Sequence, residues 1–159
     1  MSLTADVKRE IMQRRAKSTQ ARAAEVSSLI RFAGGLQLIS NRIAVEAQLD
    51  SEALARRLAR ELMELYGVRP LLSRGVGRGG DNIVLRVTDN GETLARQTGL
   101  MDSRRRTVRG LPNRLTTGNR EDLQAIWRGA FLAAGSLTDP GRASALEVVA
   151  PNSESAMAL

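Results

Sequence analysis

Two stretches of this chain, LIRFAGGLQL at 29–38 and WRGAFLAAGSL at 127–137, share one build. Each reads as an apolar helix crowded with small residues that ends on glycine and runs into a short strand. Placing Gly35 against Gly135 aligns more than the helices. Each glycine precedes a turn containing arginine (Arg42, Arg142) and a second strand with an acid near its middle (Glu46, Glu147). Each second strand leads to a polar cap, Asp50-Ser51-Glu52 or Asn152-Ser153-Glu154. The register drifts by a residue or two along the way. A duplicated unit constrains the fold more than any local propensity, because neither copy can bury its apolar face alone. The alternative is coincidence between two generic helix–hairpin units.

The small residues acquire a purpose if the repeat is real. Ala125, Gly129 and Ala133 fall at i, i+4 and i+8 on one helix face, and Ala24 and Ser28, with Gly35 seven further on, form a matching strip on the other. The distance between packed helices is set by the side chains at the contact, so two such strips permit a close crossing. A helical glycine costs about 1 kcal/mol relative to alanine, and close approach offsets that. Without the repeat, these are simply alanine-rich helices.

The rest of the chain supports a mixed architecture. Thr4 is a candidate N-cap for an opening helix with Val7 and Ile11 on one face. The second helix spans 21–34. LQLIS and RIAVEAQL form a hairpin about a Ser40-Asn41 turn. Asp50 is the candidate cap of SEALARRLARELMELYG, where Leu54, Leu58, Leu62 and Leu65 line one face and Gly67 is the stop signal. Residues 68–74 and 82–88 predict a second hairpin around GVGRGGD, followed by a short helix at 91–98 ended by Gly99. Residues 100–118 lack periodicity and read as a basic connector. Asn119, three residues before Asp122, marks the start of the next helix. A DPGR turn and a strand follow, and a helix begins at 152 whose apolar face, Ala156 and Leu159, is expected to lack much of its intended support. The expected fold class is α+β with two pseudo-symmetric helix-hairpin-helix-hairpin-helix repeats, the second incomplete. Residues 1–118 hold the opening helix, first repeat and connector, and residues 119–159 the start of the second repeat.

Composition limits the chemistry. There is no cysteine and no histidine, which excludes disulfides, thiolate metal sites and imidazole catalysis. The net charge is +7, and the only lysines are Lys8 and Lys17. That bias suits a polyanionic partner, although a codon-driven arginine bias would look the same. Four aromatic residues, Phe32, Tyr66, Trp127 and Phe131, are too few for a base-stacking single-strand binder. No apolar run is long enough to span a bilayer, and the first twenty residues lack a secretory h-region. A cytoplasmic protein without membrane contact is expected.

The motifs carry a resemblance. FLAAGSL after WRG resembles a degenerate LAGLIDADG helix of the homing-endonuclease fold. RFAGGLQL, VEAQLD, ARRLARELMELYGV, LARQTGLMD, VRGLP, WRGAFLAAGSLTDPGR and ALEV together are similar to the actinobacterial WhiA family, over nearly the whole chain. The resemblance implies two such helices side by side at a pseudo-two-fold axis, and a DNA-binding transcriptional regulator of sporulation and cell division. It further implies a C-terminal helix-turn-helix domain absent from these 159 residues, so the chain is read as a fragment.

In the endonucleases the residue before the last glycine of each motif is an acid that holds metal. The positions in register here are Gly34 and Ala134, which offer no oxygen ligand. No cofactor, metal or catalysis is therefore expected. The candidate phosphate contacts are Arg104, Arg105, Arg106, Arg109 and Arg114, whose planar forks suit phosphate; a solvated connector is the alternative. Arg74 and Arg78 in the glycine-rich loop are weaker candidates. Asp139 reads as a turn residue. DNA binding by this segment is expected to be weak and non-specific, and a role in holding a protein partner is the other function considered.

Overall fold

The computed structural model describes residues 2–75, 82–138 and 145–159. The glycine-rich loop beyond Gly75, with Arg78, and the DPGR turn, with Asp139 and Arg142, lie outside the described residues.

The chain opens with α1 (Leu3–Met12), then α2 (Thr19–Ala33), β1 (Gly34–Ile39), β2 (Arg42–Leu49), α3 (Glu52–Tyr66), β3 (Leu71–Arg74), β4 (Ile83–Val87) and α4 (Gly91–Thr98). A short α5 (Asn113–Thr116) precedes α6 (Arg120–Ala134), β5 (Gly135–Leu137), β6 (Leu146–Val148) and α7 (Ser153–Met157). The first four strands form an antiparallel sheet in the order β1-β2-β4-β3, and β5 pairs with β6. Ser40 and Asn41 both adopt positive φ, 50° and 63°, as a two-residue hairpin turn requires.

Period-two alternation selects the buried face of the large sheet. Val45, Ala47 and Leu49 on β2 and Ile83, Leu85 and Val87 on β4 are buried. They meet Val26, Leu29 and Ile30 of α2, Leu54, Leu58 and Leu62 of α3, and Leu94 and Ala95 of α4. Each large side chain buried there contributes roughly 1.5–3 kcal/mol. Gly67 ends α3 at φ 68°, and Gly99 ends α4 at φ 83°.

Three local expectations are corrected. The α1 cap is Ser2, whose hydroxyl accepts the Ala5 N–H; Thr4 instead accepts from the Leu137 N–H at 2.9 Å, tying α1 to β5. The α3 cap is Ser51, while Asp50 pairs with Lys8 at 3.2 Å. At the far end Ser155 turns inward and Ala156 is exposed. Residues 100–118 are also more than a connector. Met101 bridges Thr107, α5 forms, and Leu111 and Leu115 pack against Ala21, Ala24, Ala125 and Ile126. That i, i+4 leucine pair was the overlooked signal.

The two repeats obey one offset. Caps Ser18 and Asn119 open α2 and α6, each 15 residues long. Gly34 opposite Ala47 matches Gly135 opposite Val148, and Gly35 opposite Glu46 matches Ser136 opposite Glu147. Caps Ser51 and Asn152 open α3 and α7. Every pair is separated by the same 101 positions. The helix-ending glycines in register are thus Gly34 and Gly135, not Gly35 and Gly135.

α2 and α6 cross at close range. Ala24, Ser28 and Ala125 are fully buried, and the Ser28 hydroxyl donates to the Ile126 carbonyl at 2.6 Å. A Cβ on Gly129 would stand 2.4 Å from the Glu25 carbonyl oxygen and 2.9 Å from the Leu29 nitrogen. The α2 backbone therefore occupies the space that a side chain would need. Ala133 is partly buried against the main core. Gly35 is not part of the crossing; it lies on β1, with only the Arg31 guanidinium within 4 Å of a Cβ placed there.

Buried acids join the helices. Glu25 pairs with Arg57 at 2.8 Å and with Arg128 at 3.4 Å, linking α2, α3 and α6. Glu61 binds Arg15 at 2.8 Å and Arg22 at 3.0 Å, and Arg22 also contacts Glu64. Burial alone would raise the Glu61 pKa, but hydrogen bonds from Arg22 and Arg15 outweigh it and hold the carboxyl below its ordinary 4.5. A depressed folded-state pKa gives stability that is present above the unfolded value and lost as pH falls through the folded one. Urea unfolding is therefore expected to show stability falling below about pH 4.5, with Glu61→Gln flattening that acid limb. An unchanged limb in the variant would remove Glu61 from the explanation.

Candidate nucleic-acid interface

The helix ends come first, because two 15-residue helices crossing this closely deliver their C-termini side by side. The residues there are Ala33 and Gly34 on one and Ala134 and Gly135 on the other. The structural register pairs Ala33 with Ala134, a one-residue correction to Gly34 with Ala134. None of these carries an oxygen ligand for a hard cation. The acids flanking them in the strands are Glu46, opposite Gly35, and Glu147, opposite Ser136. Glu46 is engaged by Arg86, whose Nη2 and Nε lie 2.7 and 3.0 Å from Oε2. No group of three or more acids placed to hold a metal occurs among the described residues.

The second feature is the sheet face turned away from the core. Alternation puts Gln37, Arg42, Gln48 and Arg86 on it, all exposed. These residues were not among the sequence candidates for nucleic-acid contact. The period-two pattern of RIAVEAQL and NIVLRVT contained the signal. What it lacked was which face the helices would cover.

The five candidate arginines are exposed but do not converge. Arg105 Nε pairs with Glu92 at 2.5 Å and lies in a groove with Arg42, Asn41 and Leu38. Arg106 pairs with Asp102 at 3.3 Å. Backbone N–H groups of Arg106 and Arg104 help hold the Asp102 carboxyl below its usual range. Arg109 pairs with Glu154 at 3.6 Å. Arg114 donates to the Gln97 carbonyl at 3.0 Å and shares a different groove with Arg96 and Tyr66. The Arg104 side chain has no partner among the described residues. Exposed pairs of this kind are worth about 0–1 kcal/mol, so a phosphate could replace the carboxylates.

Paired, close-crossing helices that each run directly into a strand, α2 into β1 and α6 into β5, define a LAGLIDADG-like domain, here with no acid at the helix ends. The chain belongs to the WhiA family: the model of the WhiA N-terminal LAGLIDADG-like domain matches residues 19–101, and that of the WhiA LAGLIDADG-like domain matches residues 123–159. A probable cell division protein WhiA of Leifsonia xyli subsp. xyli is 60% identical over all of this chain and half of its own length. The chain thus spans about half the length of that relative. Among solved structures, the N-terminal LAGLIDADG domain of DUF199/WhiA superposes with a TM-score of 0.71 at 18% identity, covering 99% of this chain and 70% of that one. Mesophilic variants of the homing endonuclease I-DmoI give a TM-score of 0.55 at 20% identity, covering 74% and 64%. These likenesses establish the α+β, LAGLIDADG-like fold. No helix among the described residues is long and apolar enough to cross a membrane.

Proposed function

We propose that this chain is a non-catalytic, DNA-associated domain of a cell-division and sporulation regulator. Its exposed sheet face, with Arg42 and Arg86, and its connector arginines meet the phosphate backbone. One observation carries the reading: the endonuclease helix pair keeps its close crossing while its ends hold Ala33, Gly34, Ala134 and Gly135 in place of ligands. Supercoiled plasmid incubated with the protein and Mg²⁺ or Mn²⁺ should stay intact; reproducible, chelator-sensitive nicking would refute the non-catalytic assignment.

Binding should be weak and tolerant of sequence, because the candidate arginines lie in irregular segments or on the four-residue α5, not on a helix long enough to read the major groove. Non-specific phosphate contact typically gives a Kd on the order of 10⁻⁴–10⁻⁶ M at physiological salt. Fluorescence anisotropy on two duplexes of unrelated sequence but similar flexibility should give equal affinities that fall steeply with salt. Replacing Arg104, Arg105 and Arg106 together should flatten the salt slope by up to about three units. Tight binding to one duplex alone would show that this segment reads sequence.

A second reading, a module that holds a protein partner, is favoured by a surface groove lined by Ile11, Leu123, Trp127, Phe131 and Leu146. Leu123 is 39%, Trp127 44% and Leu146 58% exposed. Absence of any duplex binding at low salt would favour it.

A further inference from the structure

In the last turn of α2, Arg31 points its guanidinium past Gly35. Its Nη2 donates to the Val108 carbonyl at 2.5 Å. Its Nε is buried and has no hydrogen-bond partner. No carboxylate pairs with it among the described residues. Its Nη1 lies 3.8 Å from where a Gly35 Cβ would be and has no partner among the described residues. A half-buried guanidinium with one neutral acceptor and no counter-charge is costly. Burial accordingly holds its pKa below the usual guanidinium range.

The position of this cation gives the arrangement its meaning. Gly35 stands opposite Glu46, and Glu46 opposite Arg86, so the three share one rung across β1, β2 and β4. The carboxylate of that rung, Glu46, is held by Arg86. The rung therefore holds one guanidinium and one carboxylate, paired with each other, and Arg31 has no share in that carboxylate among the described residues. Gly35 has φ 155° and no side chain, and among the described residues no group but Nη1 comes within 4 Å of where its Cβ would be.

We infer that Arg31 is the anion-binding centre of this domain, taking a backbone phosphate of the nucleic acid at the α2 end through the opening beside Gly35. This rests on the DNA-associated reading above. The guanidinium supplies a fixed positive charge and N–H donors to a phosphate oxygen. It supplies no activated water, so a phosphate can be held there without being cleaved.

The test uses the 159-residue chain and the variants Arg31→Gln and Arg31→Lys. Glutamine removes the charge and the fork, its amide nitrogen falling where Nε stands; lysine keeps a charge without the fork. Duplex anisotropy across a salt series should show the slope reduced by about one unit in Arg31→Gln and little changed in Arg31→Lys. In parallel, the arginine side-chain N–H resonance of Arg31, assigned by its loss in Arg31→Lys, should move when inorganic phosphate is added. An unchanged slope in a folded Arg31→Gln, with an unmoved resonance, overturns the inference and leaves DNA association standing. If Arg31→Gln does not fold, the resonance alone decides, with movement supporting the site and no movement overturning it. If the unaltered chain binds no duplex, the DNA-associated reading fails, and the same resonance decides whether an anion site exists.

Discussion

Gly129→Leu is expected to be among the most damaging single substitutions in this chain. The first atom it adds meets the Glu25 carbonyl oxygen at 2.4 Å and the Leu29 nitrogen at 2.9 Å. These are backbone atoms of a helix, and they cannot swing aside as a side-chain tip can. Overpacking typically costs 1–3 kcal/mol, occasionally more, and a clash with backbone belongs at or beyond the upper end of that range. Gly129→Ala makes the sign informative. Alanine gains about 1 kcal/mol of helix propensity, so a net loss in urea unfolding would show that the clash outweighs it. A leucine variant as stable as the parent would show that α2 and α6 do not meet at this position.

Glu25→Ala should be comparably severe for an electrostatic reason. Glu25 is buried and receives Arg57 at 2.8 Å and Arg128 at 3.4 Å. Arg57 is itself largely buried, though it also donates to the Met12 and Arg14 carbonyls. Removing one partner of a buried ion pair costs about 3–5 kcal/mol, a large share of the roughly 5–15 kcal/mol that holds a typical domain. Arg128→Ala should cost less, since Glu25 keeps its shorter bond to Arg57. Equal losses for the two variants, measured by thermal and urea unfolding, would contradict this ranking.

Much of the fold was legible because the signals were local. The hairpin at Ser40-Asn41, the leucine stripe of α3, the glycine stops at Gly67 and Gly99, and the Asn119 cap all depend on neighbours in the chain. The close crossing was legible from the spacing of Ala125 and Gly129 against Ala24 and Ser28. The register was ambiguous by one residue because Gly34 and Gly35 are adjacent. Only the sheet decides between them: a Cβ on Gly34 would lie 1.9 Å from the Glu46 carbonyl oxygen. The candidate site was less legible. A run of arginines is conspicuous in a sequence, yet Arg105, Arg109 and Arg114 settle in separate places. Arg31, Arg42 and Arg86 gain interest only from what the fold leaves beside them. Distant pairings such as Glu25 with Arg128 have no sequence signature at all.

The contact at Gly129 also determines where this molecule can bend. Most helix pairs meet through side chains that can change rotamer, and that gives the joint some compliance. Here one backbone rests on the other, pinned by the bond from Ser28 to the Ile126 carbonyl, so the joint is nearly as stiff as the helices. The angle between the two hairpins is then a constant of the protein. A duplex laid across both would have to absorb any mismatch in curvature itself, and the elastic energy would depend on how readily its base steps deform. If its contacts are to phosphates alone, as proposed above, the domain would rank DNA sequences by their flexibility.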